Sequence, residues 1–100
     1  MKAQVDPAVI AELWAVICER ADNPQESSYT SRLLADPKGI DKVLEKVGEE
    51  ATEFILAVKN GVDERTVEET ADLLFHVFVA LRGAGVELSE VMQELEKRRK

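Results

Sequence analysis

The sequence offers almost nothing with which to build a disulfide-linked or zinc-stabilised domain. It has one cysteine in 100 residues, Cys18. A single thiol cannot close an internal disulfide, and it cannot by itself hold a structural zinc ion. Because Cys18 falls in an apolar stretch with helical spacing, we expect it to pack inertly.

Long apolar runs are also absent. No segment approaches the roughly 20 apolar residues that a helix needs to cross a bilayer. Residues 1–6 lack the apolar core of a secretory signal peptide. The sequence therefore predicts a soluble, cytoplasmic protein without a membrane partner.

Positive charge is scarce, with 13 Lys and Arg against 20 Asp and Glu and a formal net charge of −7. Proteins that wrap nucleic acid neutralise its phosphates with cations, so we expect no nucleic-acid partner. The acidic excess instead suits a protein that gathers carboxylates around metal cations. Apolar residues make up 45% of the chain, as in an ordinary folded domain.

Strand-like alternation never extends beyond a few residues, and the chain has no internal repeat or low-complexity tract. Apolar residues instead recur at three- and four-residue steps, which indicates amphipathic helices. Asp6 as N-cap and Pro7 at the first helical position predict the start of the first helix, which should end near Ala21. A short helix is predicted over residues 32–35.

Two long helices are predicted in the middle of the chain. The first covers residues 40–58 and ends at Gly61, which can adopt the left-handed conformation of a C-terminal cap. The second begins between residues 63 and 66 and is ended by Gly83 and Gly85.

A last helix, capped by Ser89, finishes in the cations of residues 97–100, which suit the negative end of the helix dipole. These segments predict an all-α bundle of about four to five helices with short connections. Residues 71–81 are apolar except for Asp72 and His76, so their helix should be buried on most sides. We therefore expect dimerisation to complete the bundle.

Carboxylates cluster on the helix predicted over residues 40–58. Glu49, Glu50 and Glu53 lie together there, off the apolar stripe. Like charges three or four residues apart destabilise an isolated helix by roughly 0.2–0.5 kcal/mol per pair, and a cation placed between them would reverse that sign. A solvated face paired with Lys46 is the alternative interpretation.

The next helix carries Glu69 and Asp72, again three residues apart. Asp72 lies in the apolar stretch, so we expect it to be buried and to need a partner for its charge. Antiparallel packing of the two helices would bring together the carboxylates of Glu50, Glu53, Glu69 and Asp72. Such oxygen donors suit Mg²⁺, which would polarise a phosphoanhydride and help to generate an attacking hydroxide.

This acidic pattern resembles a known signature. Residues 49–53, followed by residues 69–72, are similar to the acidic motifs of the all-α nucleotide pyrophosphohydrolases, the MazG-like group. Three further stretches, at residues 27–33, 46–50 and 72–76, resemble the phosphoribosyl-ATP pyrophosphohydrolase family. The resemblance covers nearly the whole chain in the family's order and spacing.

The resemblance implies a magnesium-dependent homodimer that hydrolyses phosphoribosyl-ATP to phosphoribosyl-AMP and pyrophosphate, the second step of histidine biosynthesis. Water would attack the α–β phosphoanhydride. The family's domain is often fused to the cyclohydrolase of the next step. Here we expect residues 1–100 to form one pyrophosphohydrolase domain, with that activity on a separate chain. Carried over residue by residue, the metal ligands are Glu50, Glu53, Glu69 and Asp72.

The resemblance also implies roles beside the metal. Glu49 and Glu50 are the candidate catalytic carboxylates, with Glu49 as a general base for water. Lys46 is placed to meet a substrate phosphate, or else forms a surface salt bridge with one of these acids. His76 would hold Asp72 in place or contact the substrate, and a satisfied core histidine is the alternative.

The polar segment before the long helices supplies candidate contacts to nucleotide or phosphate. These are Ser28, Tyr29, Thr30 and Arg32. A capped loop with Tyr29 as a packing anchor is the alternative. Lys38 and Lys42 are further cations that could offset a polyphosphate. Gly48 leaves room beside the acids for a phosphate or another helix.

Two other functions remain open from the residues. A house-cleaning nucleoside triphosphate pyrophosphatase would share the acidic site and turn over ordinary dNTPs, although residues 27–33 and 75–76 argue against it. A non-enzymatic helical dimerisation module would use the acids only as a solvated face. That module predicts no loss of stability on removal of Glu53 or Asp72, and the apolar surroundings of Asp72 weigh against it.

Overall fold

The computed structural model describes residues 4–99. Its helices, in chain order, are α1 (Ala8–Asp22), α2 (Tyr29–Leu34), α3 (Ile40–Asn60), α4 (Asp63–Ala84) and α5 (Leu88–Arg98). This part of the chain contains no strand, so the predicted all-α fold is confirmed. Residues 1–3, considered above for a signal peptide, and Lys100, at the predicted basic end, lie outside the described residues.

The two long helices, α3 and α4, form a hairpin with a tight connection. Gly61 ends α3 with a left-handed backbone (φ 71°, ψ 24°) and donates its N–H to the Val58 carbonyl oxygen at 3.1 Å. Glycine adopts this conformation without the steric cost of a Cβ, so the predicted cap is confirmed. The helices run antiparallel, since Ile40 and Leu44 from the start of α3 line one apolar cleft with Leu81 from the end of α4.

The core lies where side chains of all five helices meet. The buried apolar residues of this cluster are Ile17, Leu33, Val43, Phe78, Val79 and Leu88. Trp14 of α1 packs edge-on against Phe78 with ring centroids 6.1 Å apart, a geometry that aromatic pairs prefer. This cluster holds α1, α2 and α5 at the end of the hairpin away from its connection.

The first helix starts one residue later than predicted. Pro7 is its N-cap, and Asp6 Oδ1 accepts the Ala8 N–H at 3.0 Å from outside the helix. Asp6 therefore satisfies a free helix donor without being the capping residue. The helix extends to Asp22. Cys18 is half-buried in it, and burial raises the pKa of the thiol, which fits an inert role.

The short helix α2 begins earlier than the predicted residues 32–35. Ser28 has an extended backbone, and its Oγ accepts the Ser31 N–H at 3.1 Å. A serine at this position satisfies an otherwise free helix donor, so the helix starts at Tyr29. Ala35 is the C-cap and not the last helical residue.

The fourth helix begins at Asp63, the earlier of the two predicted starts, and continues to Ala84. The prediction that Gly83 ends it is wrong, because the chain leaves the helix only at Gly85, which has a φ of 74°. A Cβ at position 83 would lie 2.8 Å from Ile40 Cδ1. This atom is the end of a flexible side chain that is 39% exposed, so a residue with a Cβ at position 83 would require only a shift of the Ile40 side chain.

The last helix is capped by Glu87 and not by the predicted Ser89. Glu87 and Glu90 form a reciprocal capping box, in which the Glu87 N–H donates to Glu90 Oε2 at 3.2 Å. The side chain of Glu90 reaches back to the free donor before the helix. The helix consequently starts at Leu88, which inserts into the core.

The outer face of the hairpin is apolar and exposed in the single chain. Its exposed large side chains include Leu44, Ile55, Val58, Val67 and Leu74. The prediction that α4 is buried on most sides holds for residues 75–81, which are buried or half-buried all around the helix, whereas Ala71, Asp72 and Leu74 are exposed in the single chain. No helix within residues 4–99 is long and apolar enough to span a membrane.

Candidate active site

The hairpin brings three carboxylates together. Glu50 of α3 and Glu69 and Asp72 of α4 each offer an oxygen, and these oxygens lie within 4.8 Å of one another. Glu69 and Asp72 share one side of α4 because residues three apart are neighbours on a helix surface. The antiparallel packing then places Glu50 opposite them. Three oxygen donors at this separation can hold a metal ion.

Two of the predicted site acids lie outside this compact group. Glu53, one turn beyond Glu50, is exposed and lines a separate pocket of about 200 Å³ with Arg65 at the connected end of the hairpin. Glu49 is also exposed, and its Oε2 lies 3.0 Å from Lys46 Nζ. Both acids therefore border the group without belonging to it.

The buried acid of the group is Glu69, which is 6% exposed, and not Asp72, which is exposed. The prediction that Asp72 is buried is therefore wrong. The apolar residues around Asp72 are divided between the core side of α4 and the exposed outer face, where Leu74 is 43% exposed. Glu69 Oε1 accepts a hydrogen bond from Arg65 Nη2 at 2.8 Å, so the buried charge has a partner on its own helix.

The group concentrates negative charge around Glu69. Burial raises the pKa of the Glu69 carboxyl above its usual range, and Asp72, Glu50 and Glu53 raise that pKa further. Arg65 acts in the opposite direction by favouring the charged form. One guanidinium therefore faces several carboxylates, and a bound cation would relieve the repulsion that remains.

Lys46 connects this group to the rest of the site. Its Nζ lies 3.0 Å from Glu49 Oε2 and 3.9 Å from Glu50 Oε1. The hydrogen bond to Glu49 raises the pKa of Lys46, which keeps it positively charged. The predicted alternative of a salt bridge is thus present, and it leaves a cation directly beside the acids.

His76 is buried and has a hydrogen-bond partner on each ring nitrogen. Its Nδ1 lies 2.7 Å from the carbonyl oxygen of Asp72, and its Nε2 lies 2.9 Å from Tyr29 Oη. A carbonyl oxygen can only accept, so Nδ1 carries the proton and Nε2 of the neutral ring accepts from the tyrosine hydroxyl. His76 thus contacts the backbone of Asp72 and not its carboxylate. Its hydrogen bond to Tyr29 links α2 to α4.

The other predicted substrate contacts divide into engaged and available side chains. Ser28 Oγ caps α2, and Thr30 is buried. Arg32 is exposed and donates one N–H to the Glu26 carbonyl oxygen at 2.8 Å. Tyr29 is partly exposed. Tyr29 and Arg32 are therefore accessible to a ligand, whereas Ser28 and Thr30 contribute to the capping and packing of α2.

A cleft of about 320 Å³ opens beside the acids. It is lined by Tyr29, Arg32, Leu33, Asp36, Lys42 and Lys46. Its charged walls carry three cations and one acid, whereas the whole chain has a net charge of −7. The site thus has an acidic part on the hairpin and a basic part between α2 and the start of α3.

The chain is similar to proteins of one family. Residues 10–99 match the model of a family described as phosphoribosyl-ATP pyrophosphohydrolase. A protein of Methanoregula boonei named phosphoribosyl-ATP pyrophosphatase is 76% identical over 99 residues, which cover 99% of this chain and 95% of that protein. Relatives of the same name from Methanosphaerula palustris and Lactiplantibacillus plantarum are 63% and 49% identical, covering 95% and 87% of this chain and 96% and 80% of theirs. This chain belongs to the phosphoribosyl-ATP pyrophosphohydrolase family.

Two charged residues of this phosphoribosyl-ATP pyrophosphohydrolase family member were not predicted from the sequence as site residues. Arg65 pairs with the buried Glu69, and its position four residues before that acid was the signal that could have found it. Asp36 lines the basic cleft, and no sequence motif indicated that position. Lys38 does not line the cleft, and its Nζ pairs with Glu45 Oε2 at 3.0 Å.

Proposed function

We propose that this chain hydrolyses phosphoribosyl-ATP to phosphoribosyl-AMP and pyrophosphate, the second step of histidine biosynthesis. The observation that carries the proposal is the convergence of Glu50, Glu69 and Asp72 within 4.8 Å in a member of this family. A non-enzymatic module gives no reason to bring like charges together around a buried acid. A house-cleaning pyrophosphatase would share the acids, so substrate selectivity separates it from the proposed function.

We propose Mg²⁺ as the cofactor. The donors are carboxylate oxygens, which hard cations prefer, and carboxylates of three residues leave positions for water and phosphate oxygens. Burial raises the pKa of Glu69, and the nearby acids Asp72, Glu50 and Glu53 raise it further; this concentration of negative charge fits a cation site. Glu50, Glu69 and Asp72 would hold the ion, with Glu53 as a further ligand one turn along α3. When bound, magnesium would neutralise phosphate charge and polarise the α–β phosphoanhydride.

The residues around the metal ligands would bind substrate and move a proton. Glu49 is exposed, lies outside the compact group and pairs with Lys46, so it would be able to accept a proton from the attacking water once Lys46 turns to the substrate. Glu50 is the second candidate for this step. Lys46 would exchange its exposed partner Glu49 for a substrate phosphate, because such exposed ion pairs are weak. Tyr29, held by His76, would form a wall of the nucleotide site.

We propose that the exposed apolar face of the hairpin is covered by a second copy of the chain. On α3, Leu44, Ile55 and Val58 lie on the same side of the helix, and on α4, Val67 and Leu74 continue the stripe at helical spacing. Two antiparallel hairpins that bury such stripes against each other form a four-helix bundle. The same stripe meets itself in a two-fold dimer, the commonest homo-oligomer.

The remaining partner and location proposals follow from charge. A net charge of −7 opposes binding of nucleic acid, and we propose none. The substrate is a multiply charged phosphate ester that cannot cross an apolar bilayer unaided, so we propose that the enzyme works in the cytoplasm without a membrane partner. We further propose that the chain acts as one domain.

The test is pyrophosphate release from phosphoribosyl-ATP, with dATP and dCTP as parallel substrates, in magnesium and in EDTA. The variants are Asp72→Ala, which removes an exposed acid of the group, and Glu12→Ala, which removes an exposed acid of α1 as a control. Release from phosphoribosyl-ATP that is lost in EDTA and in Asp72→Ala only is the expected result. Turnover of dNTPs instead would favour the house-cleaning function, and no turnover of any substrate would refute both.

A further inference from the structure

The basic cleft beside the acids carries two cations, Arg32 and Lys42, that the proposed chemistry does not use. Its cations are Arg32, Lys42 and Lys46, and only Asp36 opposes them on the cleft wall. Within residues 4–99, neither Arg32 nor Lys42 forms an ion pair at 4.0 Å or less, whereas Lys46 pairs with Glu49. Two cations are therefore held at one cleft without an acidic partner, in a chain with an excess of acids.

The cleft lies directly beside the acidic group. Lys46 lines the cleft and also lies 3.9 Å from Glu50 of the acidic group. Tyr29 lines the cleft, and its hydroxyl donates a hydrogen bond to His76, whose Nδ1 donates in turn to the backbone carbonyl oxygen of Asp72. A ligand bound to the acids at one end can therefore extend into the cleft at the other.

The proposed substrate has two separate anionic ends. Its triphosphate requires the metal site, and its phosphoribosyl group carries a phosphate monoester. An ordinary nucleoside triphosphate lacks this second phosphate. Guanidinium and ammonium groups bind phosphate by charge-assisted hydrogen bonds and need no metal ion.

We propose that the cleft binds the phosphate of the phosphoribosyl group through Arg32 and Lys42, and that this contact selects phosphoribosyl-ATP over ordinary nucleotides. The inference rests on the proposed function and adds the residues that determine its specificity. Arg32 has further N–H donors beyond the one given to the Glu26 carbonyl. Lys46 lies between the cleft and the acidic group, where it can contact the phosphates at either end of the substrate.

The test compares wild type with Arg32→Ala, Lys42→Ala and the double variant. The product phosphoribosyl-AMP keeps the second phosphate, and AMP lacks it, so titration calorimetry with each nucleotide isolates this contact from catalysis. Loss of each cation should weaken phosphoribosyl-AMP binding by about tenfold and leave AMP binding unchanged. The KM for phosphoribosyl-ATP should rise similarly with a smaller change in kcat. Lys59→Ala, which removes a cation at the other end of α3, is the control and should change neither.

The outcomes separate this inference from the function on which it rests. If wild type releases pyrophosphate from phosphoribosyl-ATP but the double variant keeps its preference for phosphoribosyl-AMP over AMP, the cleft assignment is wrong and the proposed function stands. Equal weakening of both nucleotides would also overturn the assignment, because the cations would then bind a group common to the two. No release by wild type would overturn the function and the cleft assignment together.

Discussion

Glu69 is the residue that best distinguishes a metal site from a solvated acidic face. It is the buried member of the acidic group, and within residues 4–99 its ion-pair partner is Arg65, which lies among several acids. A buried carboxylate among other carboxylates destabilises the metal-free protein, and a bound cation would remove that destabilisation. The sequence could not predict which acid is buried, because an apolar run such as residues 71–81 does not indicate which of its sides faces the core.

We predict that Glu69→Gln abolishes the response of stability to magnesium. Wild type should gain about 2.7 kcal/mol at a magnesium concentration 100 times Kd, whereas the variant should gain almost nothing. Its metal-free form should melt no lower than wild type, because glutamine still accepts from Arg65 and removes one like charge. Thermal melting with magnesium or EDTA measures both effects. Glu64→Gln, an exposed acid on α4, should respond as wild type, and a magnesium-stabilised Glu69→Gln would contradict the metal assignment.

The contact between Tyr29 and His76 could be predicted only in part. The spacing of Asp72 and His76 placed them on one side of a helix, but the partner of the imidazole is 47 positions away in sequence. Long-range contacts of this kind depend on the packing of α2, which the sequence marked only as a possible short helix. The Nδ1-protonated tautomer of His76 follows from its contact with the Asp72 carbonyl oxygen, and nothing in the sequence indicates it.

We predict that Tyr29→Phe destabilises the fold by about 1 kcal/mol, since it removes a donor from the buried Nε2 of His76. The KM for phosphoribosyl-ATP should rise more than kcat falls, because the ring remains but is no longer held against α4. Denaturant unfolding and steady-state kinetics measure these effects. Nitrogen NMR of the imidazole should show the Nδ1-protonated tautomer in wild type. The opposite tautomer would refute the hydrogen-bond assignment.

The helices differ in how well their ends could be predicted. Gly61 and Gly85 end α3 and α4 as predicted, since a glycine that follows a helical stretch is a strong local signal for a left-handed C-terminal cap. Ser89 was predicted to cap α5, but the pair Glu87 and Glu90 satisfies two free donors at once. Gly83 did not end α4, because the backbone adopts the left-handed conformation only at Gly85. Local chemistry therefore predicted that a glycine would end the helix but did not identify which of two neighbouring glycines would do so.

Gly48 is a helix-interior glycine for which the single chain supplies no reason. Apart from its chain neighbours and the adjacent helix backbone, no atom of residues 4–99 lies within 4 Å of the position that a Cβ would occupy there. Glycine costs a helix roughly 0.5–1 kcal/mol relative to alanine. Gly48 follows Leu44 by one turn and so borders the exposed apolar stripe, which favours approach of another helix over approach of a phosphate.

We predict that Gly48→Ala stabilises the isolated subunit by about 0.5–1 kcal/mol and weakens its dimerisation. Denaturant unfolding at low protein concentration measures the first effect, and sedimentation across a concentration series measures the second. The KM for phosphoribosyl-ATP should stay unchanged. A raised KM with unchanged dimerisation would instead assign Gly48 to a phosphate contact.

The molecule as a single chain leaves an apolar face of its hairpin exposed. Its all-α architecture could be predicted from helical spacing, whereas the partner expected from the apolar character of α4 stays a prediction. The position of the exposed face could not be predicted, because the sequence does not show which sides of α3 and α4 are covered by the other helices. On α3 this face carries Ile55, which is 62% exposed.

We predict that Ile55→Glu converts the protein to monomers at micromolar concentration. A charge in the centre of the apolar stripe would have to be buried without a partner in the dimer, whereas in the monomer it points into water. Sedimentation equilibrium should therefore give twice 11.1 kDa for wild type and 11.1 kDa for the variant. Val9→Glu is the matched control, since Val9 is 60% exposed but lies on α1, and it should remain dimeric. If wild type sediments as a monomer, or if both variants dissociate alike, the hairpin face is not the dimer interface.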